Sequence, residues 1–171
     1  MNKRRGFTFI ETILSVLIVS IIAGVAAKVL ITGLDVYALV VNRNNAFQSA
    51  RSAMDRIEDE LVLLKWTDIT WMSNTRFGFF DTNGVSTDFE KVNVYKSGRT
   101  VPCINRGSDF LAGEVIALDF DYYKDDGTAT IWSFEVKRIN VDITVQALAN
   151  AGTVHLRTDI FPRNFMYSNF E

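Results

Sequence analysis

The stretch that decides the fold is Lys3-Arg4-Arg5-Gly6-Phe7-Thr8-Phe9-Ile10-Glu11, followed from Thr12 to Ala27 by 16 uncharged, mostly apolar residues. Three cations and a glycine precede a phenylalanine, one acid follows at the start of the apolar run, and the next charge is Lys28. At about 1.5 Å per residue, Phe7 to Ala27 makes roughly 30 Å of helix, the thickness of a bilayer's hydrocarbon core. One span is therefore long enough to cross. Beyond Lys28 the apolar character resumes through Val41 and is broken only by Asp35.

Glu11 discriminates between the readings of this segment. A cleaved secretory signal has an apolar core and a small-residue cleavage site, which Ala23-Gly24-Val25-Ala26-Ala27 could supply. An ionised acid near the start of that core costs a few kcal/mol in lipid, and a discarded signal has no use for it. An uncleaved signal anchor, cations inside and the domain outside, meets the same objection less sharply. A carboxylate in apolar surroundings has to take a proton or find a cation. A purely local role, favouring the first helical turn through the macrodipole, is the competing account.

The segment Lys3 to Glu11 resembles the processing and methylation signal of type IV prepilins and of the pseudopilins of type II secretion. The resemblance is strongest over the first 30 or so residues, where Thr8-Phe9 stands for the family's commoner Thr-Leu. It implies a leader, residues 1–6, with basic residues Lys3, Arg4 and Arg5; cleavage between Gly6 and Phe7 by a prepilin peptidase that also acts as methyltransferase; and N-methylation of Phe7. The cut it implies makes the α-amino group of Phe7, one helical turn away, the nearest cation to Glu11 within one subunit, and it also implies that Glu11 meets the N-terminus of a neighbouring subunit during assembly. The partners so implied are other minor and major pilin-like subunits. The implied location is the inner membrane, spanned once with the N-terminus cytoplasmic before processing and the globular domain periplasmic, and then the filament.

The remainder of the 171-residue chain reads as a water-soluble domain. Overall, 48% apolar and 22% charged residues exclude a disordered or multi-span protein. Beyond Asn42 there are 14 Lys and Arg against 18 Asp and Glu, about −4, which offers no field for nucleic-acid phosphates, so no direct nucleic-acid partner is expected. The single cysteine excludes an intramolecular disulfide.

No proline occurs before Pro102, and Ala46, Phe47, Ala50, Met54, Ile57, Leu61 and Leu64 place apolar positions at steps of three and four among charged residues. One helix from Phe7 to about Lys65, roughly 88 Å long, is predicted, its first half (7–41) in lipid or a filament core and its second half lying on the globular domain (42–171). Gly24 and Gly33 are points of weakness or of close helix approach. After Lys65 the period becomes two. Ile116 to Tyr123 reads as a strand, Lys124-Asp125-Asp126-Gly127 as a hairpin turn, and Trp132/Phe134/Val136, Ile139 to Val145 and Val154 to Ile160 as three further strands, with a turn at Asn150-Ala151-Gly152. Arg76–Phe80 and Phe89–Tyr95 flank Asp81-Thr82-Asn83-Gly84 as a second hairpin or small sheet. Ser97 to Gly113 reads as an exposed connection. The fold class is α+β, a pilin-like long N-terminal helix packed on an antiparallel sheet.

Two features of this domain, Leu118-Asp119-Phe120-Asp121-Tyr122-Tyr123 before Asp126-Gly127, and Leu156-Arg157-Thr158-Asp159-Ile160 with Arg163-Asn164, are similar to the larger minor pseudopilins of the type II secretion protein J kind. That similarity implies a minor subunit at or near a filament tip that helps initiate assembly. The alternative class is a membrane-anchored periplasmic binding or enzymatic domain whose N-terminus is only a tether.

Residues that carry chemistry are few. His155 is the one histidine and reads as a solvent-facing strand residue, and Cys103 as a loop thiol or a partly buried small residue. No Gly-x-Ser-x-Gly turn or phosphate-binding loop accompanies them, so no enzymatic activity and no cofactor are expected. Asp119, Asp121, Asp125 and Asp126 supply the oxygen ligands that Ca2+ takes, and some relatives of the family bind it. Their spacing fails the EF-hand pattern, and aspartates in hairpin turns have their own conformational reason. Trp66, Trp71, Phe77, Phe79 and Phe80 are expected mostly in the core, with the rest offering a partner surface.

Overall fold

The computed structural model describes residues 8–96 and 98–163. It divides into two compact units at Val40/Val41. A single helix, α1 (Phe9–Val62), contributes to both.

In the first unit every described residue is exposed, from Phe9, Ile10 and Ile13 to Leu39 and Val40. A helix that is apolar all round is built for apolar surroundings on all sides, and this one is long and apolar enough to cross a membrane. Its few hydroxyls turn inward on the backbone: Ser15 Oγ donates to the Glu11 carbonyl (2.7 Å), Ser20 Oγ to that of Val16 (2.7 Å) and Thr32 Oγ1 to that of Lys28 (3.0 Å). Lipid offers no water to satisfy such groups, and these bonds satisfy them within the helix. Gly24 and Gly33 lie in open space and do not interrupt α1.

In the second unit the end of α1 buries one stripe, Ala46, Ala50, Ala53, Met54, Ile57 and Leu61. The spacing is that of one helix face, and three alanines allow close approach to what lies beneath. Phe47, expected in the stripe, is instead 41% exposed, and Ala53 takes the inward place. The last turn tightens through Leu63 N–H to Glu60 O and Leu64 N–H to Leu61 O, and Lys65 then adopts an extended conformation.

Among the described residues eight strands follow: β1 (Ile69–Met72), β2 (Arg76–Phe80), β3 (Ser86–Lys96), β4 (Arg99–Arg106), β5 (Asp109–Gly113), β6 (Val115–Tyr123), β7 (Arg138–Gln146) and β8 (Thr153–Ile160). They form two antiparallel sheets, β1-β2-β3-β4-β5 and β6-β7-β8, each in chain order. Register is set by apolar residues facing one core: Phe77 lies opposite Phe89 in the first sheet, and Leu118 opposite Ile143, itself opposite Leu156, in the second. Phe77 stacks on Tyr122 at 6.0 Å and meets Phe79 and Phe120 at 5.9 Å, so aromatic rings from both sheets fill the centre of one cluster with the helix stripe. Strand β6 is tied to the first sheet by Phe120 N–H to Asn74 O (2.7 Å), by Tyr122 O–H to Ser73 O (2.8 Å) and by Lys91 Nζ to Ile116 O. The chain passes from one sheet to the other at Glu114, which holds φ at 57°. Its carbonyl accepts from Gln146 N–H at 2.7 Å and its carboxylate pairs with Arg99, contacts that offset the strain of a side chain in the left-handed region.

Two expectations are corrected. Ser97 to Gly113 is not an exposed connection: it contains β4 and β5, with Cys103, Ile104 and Ala112 fully buried. The run Trp132/Phe134/Val136 is not a strand. Ser133–Glu135 is a short 3-10 turn held by Thr130 Oγ1 donating to Glu135 (2.7 Å), with Trp132 and Phe134 exposed and only Val136 buried. The other expected strands and turns form, including the hairpin at Asp81–Gly84 and the turn at Lys124–Gly127.

Candidate functional site

Helix α1 starts at Phe9, with Thr8 in the N-cap position. The Thr8 carbonyl accepts from Glu11 N–H (3.1 Å) and Thr12 N–H (3.2 Å), opening the helical ladder. Thr8 Oγ1 accepts a second time from Glu11 N–H at 3.4 Å, and Glu11 Oε2 accepts from Thr8 N–H at 3.5 Å. This is a capping box, a reciprocal pair in which each residue satisfies a backbone donor of the other. Both side-chain contacts are long, so the carboxylate is held near its own turn without being locked there. Thr8 is thus a partner of Glu11 besides the α-amino group and the macrodipole named from the sequence. The signal was legible as Thr-x-x-Glu ahead of an apolar run. The leader residues Lys3, Arg4 and Arg5 and the junction Gly6/Phe7 lie outside the described residues.

In the second unit the densest charge network joins α1 to the first sheet. Arg106 Nε donates to both oxygens of Glu60 (2.7 and 2.8 Å), and its Nη2 lies 3.4 Å from Asp81 Oδ2. Arg56 reaches the same Glu60 from the solvent side at 2.6 Å. The Glu60 hydrogen bond raises the Arg106 pKa, and the Val85 and Asn83 backbone N–H groups together with Arg106 hold Asp81 below the usual carboxylate range against a partial desolvation penalty. A cleft of about 780 Å³ opens beside this network between α1 and the Asp81–Gly84 turn. Arg106, the most buried cation on its wall, is engaged by two carboxylates, so the network fastens the helix to the sheet.

The four acids weighed for Ca2+ are dispersed. Asp119 faces solvent on β6, Asp121 accepts from Asn74 Nδ2 at 3.5 Å, and Asp126 accepts from Thr128 N–H (2.9 Å) and Oγ1 (2.6 Å), bonds that lower its pKa and shape the turn. Asp125 stands in the same turn. Among the described residues no three of His, Cys, Asp or Glu gather into a set able to hold a metal ion. His155, on the outer face of β8, pairs through Nε2 with Asp142 of the neighbouring β7 at 2.6 Å. Cys103 is fully buried in β4, and burial pushes its thiol pKa up. Of the five aromatics following the helix, Phe77 and Phe79 are buried, whereas Trp66, Trp71 and Phe80 are exposed.

The capping box thus holds the carboxylate of Glu11 at a defined position, the mouth of an exposed apolar helix. Residues 1–27 match the family described as the prokaryotic N-terminal methylation motif. The match supports a type IV pilin-like chain and implies processing by a prepilin peptidase and assembly with other pilin-type subunits. Together with the apolar helix it points to a membrane-anchored structural subunit. A comparison with curated proteins finds no match.

Proposed function

We propose that the protein is a minor pilin or pseudopilin. It is stored in the inner membrane with its globular unit in the periplasm, and incorporated at or near the tip of a type II secretion or type IV pilus-like filament whose assembly it helps to initiate. The observation that carries this reading is the methylation motif on an apolar helix that continues into a folded α+β unit. Cleavage after Gly6 frees the Phe7 amine for methylation, and removal of Lys3, Arg4 and Arg5 takes the formal charge from −2 to −5. Glu11, released from Thr8, then meets the N-terminus of a neighbour, which exchanges a cost in lipid for a selective contact. The role is non-enzymatic and needs no cofactor. A site for Ca2+ at Asp119, Asp121, Asp125 and Asp126 forms no part of it.

The test is intact-mass analysis of the native protein, which should show loss of residues 1–6 and gain of one methyl group. A chain that retains Lys3-Arg4-Arg5, or is cut near Ala26, supports an anchored domain or an ordinary secreted one and ends the pilin reading. Glu11→Ala should be inserted and cut normally, yet fail to crosslink to filament subunits.

A further inference from the structure

We infer that residues 164–171 of this chain dock on an apolar patch of its own globular unit, formed by Ile131, Trp132 and Phe134 beside Trp66. The inference concerns the second unit alone and goes beyond the filament reading. Ile131, Trp132 and Phe134 are each more than half exposed, and Trp66 is exposed as well. The rings of Trp132 and Phe134 lie 6.2 Å apart, and the turn Ser133–Glu135 lies beside the turn Trp66–Asp68 that follows α1. Hydrogen bonds build this patch from below. Thr130, itself buried, accepts at Oγ1 from Trp132 N–H (3.1 Å) and donates from it to Glu135 (2.7 Å), while its own N–H goes to Tyr122 O (2.9 Å). Lys124 Nζ pairs with Glu135 at 2.9 Å, and Val136 closes the turn by entering the core. The backbone of residues 130–136 is thereby held in place while three large apolar side chains stand out in water. Such a patch marks a surface that something covers.

The course of the chain names the occupant. Ile160 of β8 lies opposite Ile139 of β7, so the chain leaves β8 beside the start of β7, and hence beside Val136 and the turn that precedes β7 in sequence. Pro162 is buried, which ties this exit to the unit. The residues that follow are Asn164-Phe165-Met166-Tyr167-Ser168-Asn169-Phe170-Glu171, three aromatic side chains and a methionine with no cation and no proline. Eight residues reach up to about 26 Å when extended, whereas neighbouring strands are about 4.8 Å apart. Reach is therefore not limiting. Segment and patch both carry aromatic surface that water disfavours, and rings meeting offset or edge to face cover one another. A short tether also gives the segment an effective concentration on the order of millimolar at the patch, ahead of any partner that arrives by diffusion. A second copy or another subunit would have to displace it before using this face.

The experiment uses the full-length protein in detergent. Ser133→Cys and Ser168→Cys in one chain put one thiol between Trp132 and Phe134 and another within the segment, and change no apolar side chain; the native Cys103 is buried. A short thiol reagent should link the two within one chain, read by the mass of the linked species. The yield should fall several-fold when Phe165→Ser, Tyr167→Ser and Phe170→Ser are added together, since these keep the tether and remove the rings. In a second arm Trp66→Phe and Trp71→Phe leave Trp132 as the one indole. Its quenching by acrylamide should rise several-fold when the chain is ended after Arg163, and the triple serine variant, which keeps the full length, should show the same rise if the shortened chain does not fold. Links between chains only would assign the patch to a second copy and overturn the inference. Equal linking with and without the three rings overturns it, as does quenching of Trp132 that is indifferent to residues 164–171. None of these outcomes touches Phe7 or Glu11, so the filament reading stands or falls separately.

Discussion

Residues 9–40 and residues 41–62 belong to one helix and are opposite in what they bury. Nothing in the first stretch is covered, whereas the second places Ala50, Ile57 and Leu61 completely out of solvent. The difference follows from the distribution of apolar side chains and not from their number. An apolar girdle needs an apolar medium on every side, and a stripe needs one matching surface, here the two sheets. The same backbone element therefore serves two solvents.

The strongest way to break this comparison is to cut the chain between the two stretches. A protein of residues 42–171 keeps the stripe and everything it packs on, and it should be a soluble monomer with cooperative urea unfolding; aggregation under all conditions would show that the stripe depends on what precedes it. Next in size is one chemical change made in each stretch. Ile57→Ala should destabilise the folded unit by about 2–5 kcal/mol, since it empties a fully packed site. Leu30→Ala should change the unfolding free energy of the same unit by less than about 0.5 kcal/mol. Similar losses from both would reject the division of labour.

A smaller effect is expected from the ionic fastening. Arg106→Met leaves Glu60 with Arg56 and Asp81 with the Asn83 and Val85 amides, so no charge is orphaned, and the loss read by urea titration should be about 1.5–3 kcal/mol. Acid should act in the same direction. Asp81, Asp126 and Glu135 all titrate below their ordinary values when folded, so the stability they contribute is present above about pH 4–4.5 and is lost as pH falls through the folded values. A unit that gains stability on acidification through this range contradicts that assignment. The smallest change is Thr8→Val, which removes the hydroxyl half of the capping box. It should cost the helix start about 0.5–1 kcal/mol, read as faster amide exchange over residues 9–12 in detergent, with the rest of α1 unaltered.

The sequence makes the architecture visible where periodicity is long. The girdle, the stripe and strands β6, β7 and β8 are each carried by several residues in phase, so one misplaced member, Phe47, does not hide the pattern. What was lost lay where single residues carry the meaning. Gly98 and Gly107, at φ of 82° and 55°, are the turns between β3 and β4 and between β4 and β5, but with Pro102 they read as a loop. Pro102 is tolerated because β5 pairs no further along β4 than Cys103, so one side of the strand has ended there. The alternation at Trp132 and Phe134 misled for the converse reason: a spacing of two is shared by strands and by exposed turns, and no neighbouring strand sits beside that segment. At the N-terminus the acid stands out by itself, as a charge in an apolar run, whereas its partner Thr8 is legible only as a relation between two residues three apart.

Strand order equals chain order in both sheets. Each strand pairs with those next to it along the chain, joined by turns or short connections, so the closure entropy of each pairing stays small. During synthesis, residues 69–113 emerge with every strand of their own sheet present before β6 exists, and the first sheet can close on the stripe of α1 without waiting. Only then does Glu114 turn the chain into the second sheet, whose three strands again close as they arrive. The unit is thereby suited to folding in the direction in which it is made, with few apolar edges left bare along the way.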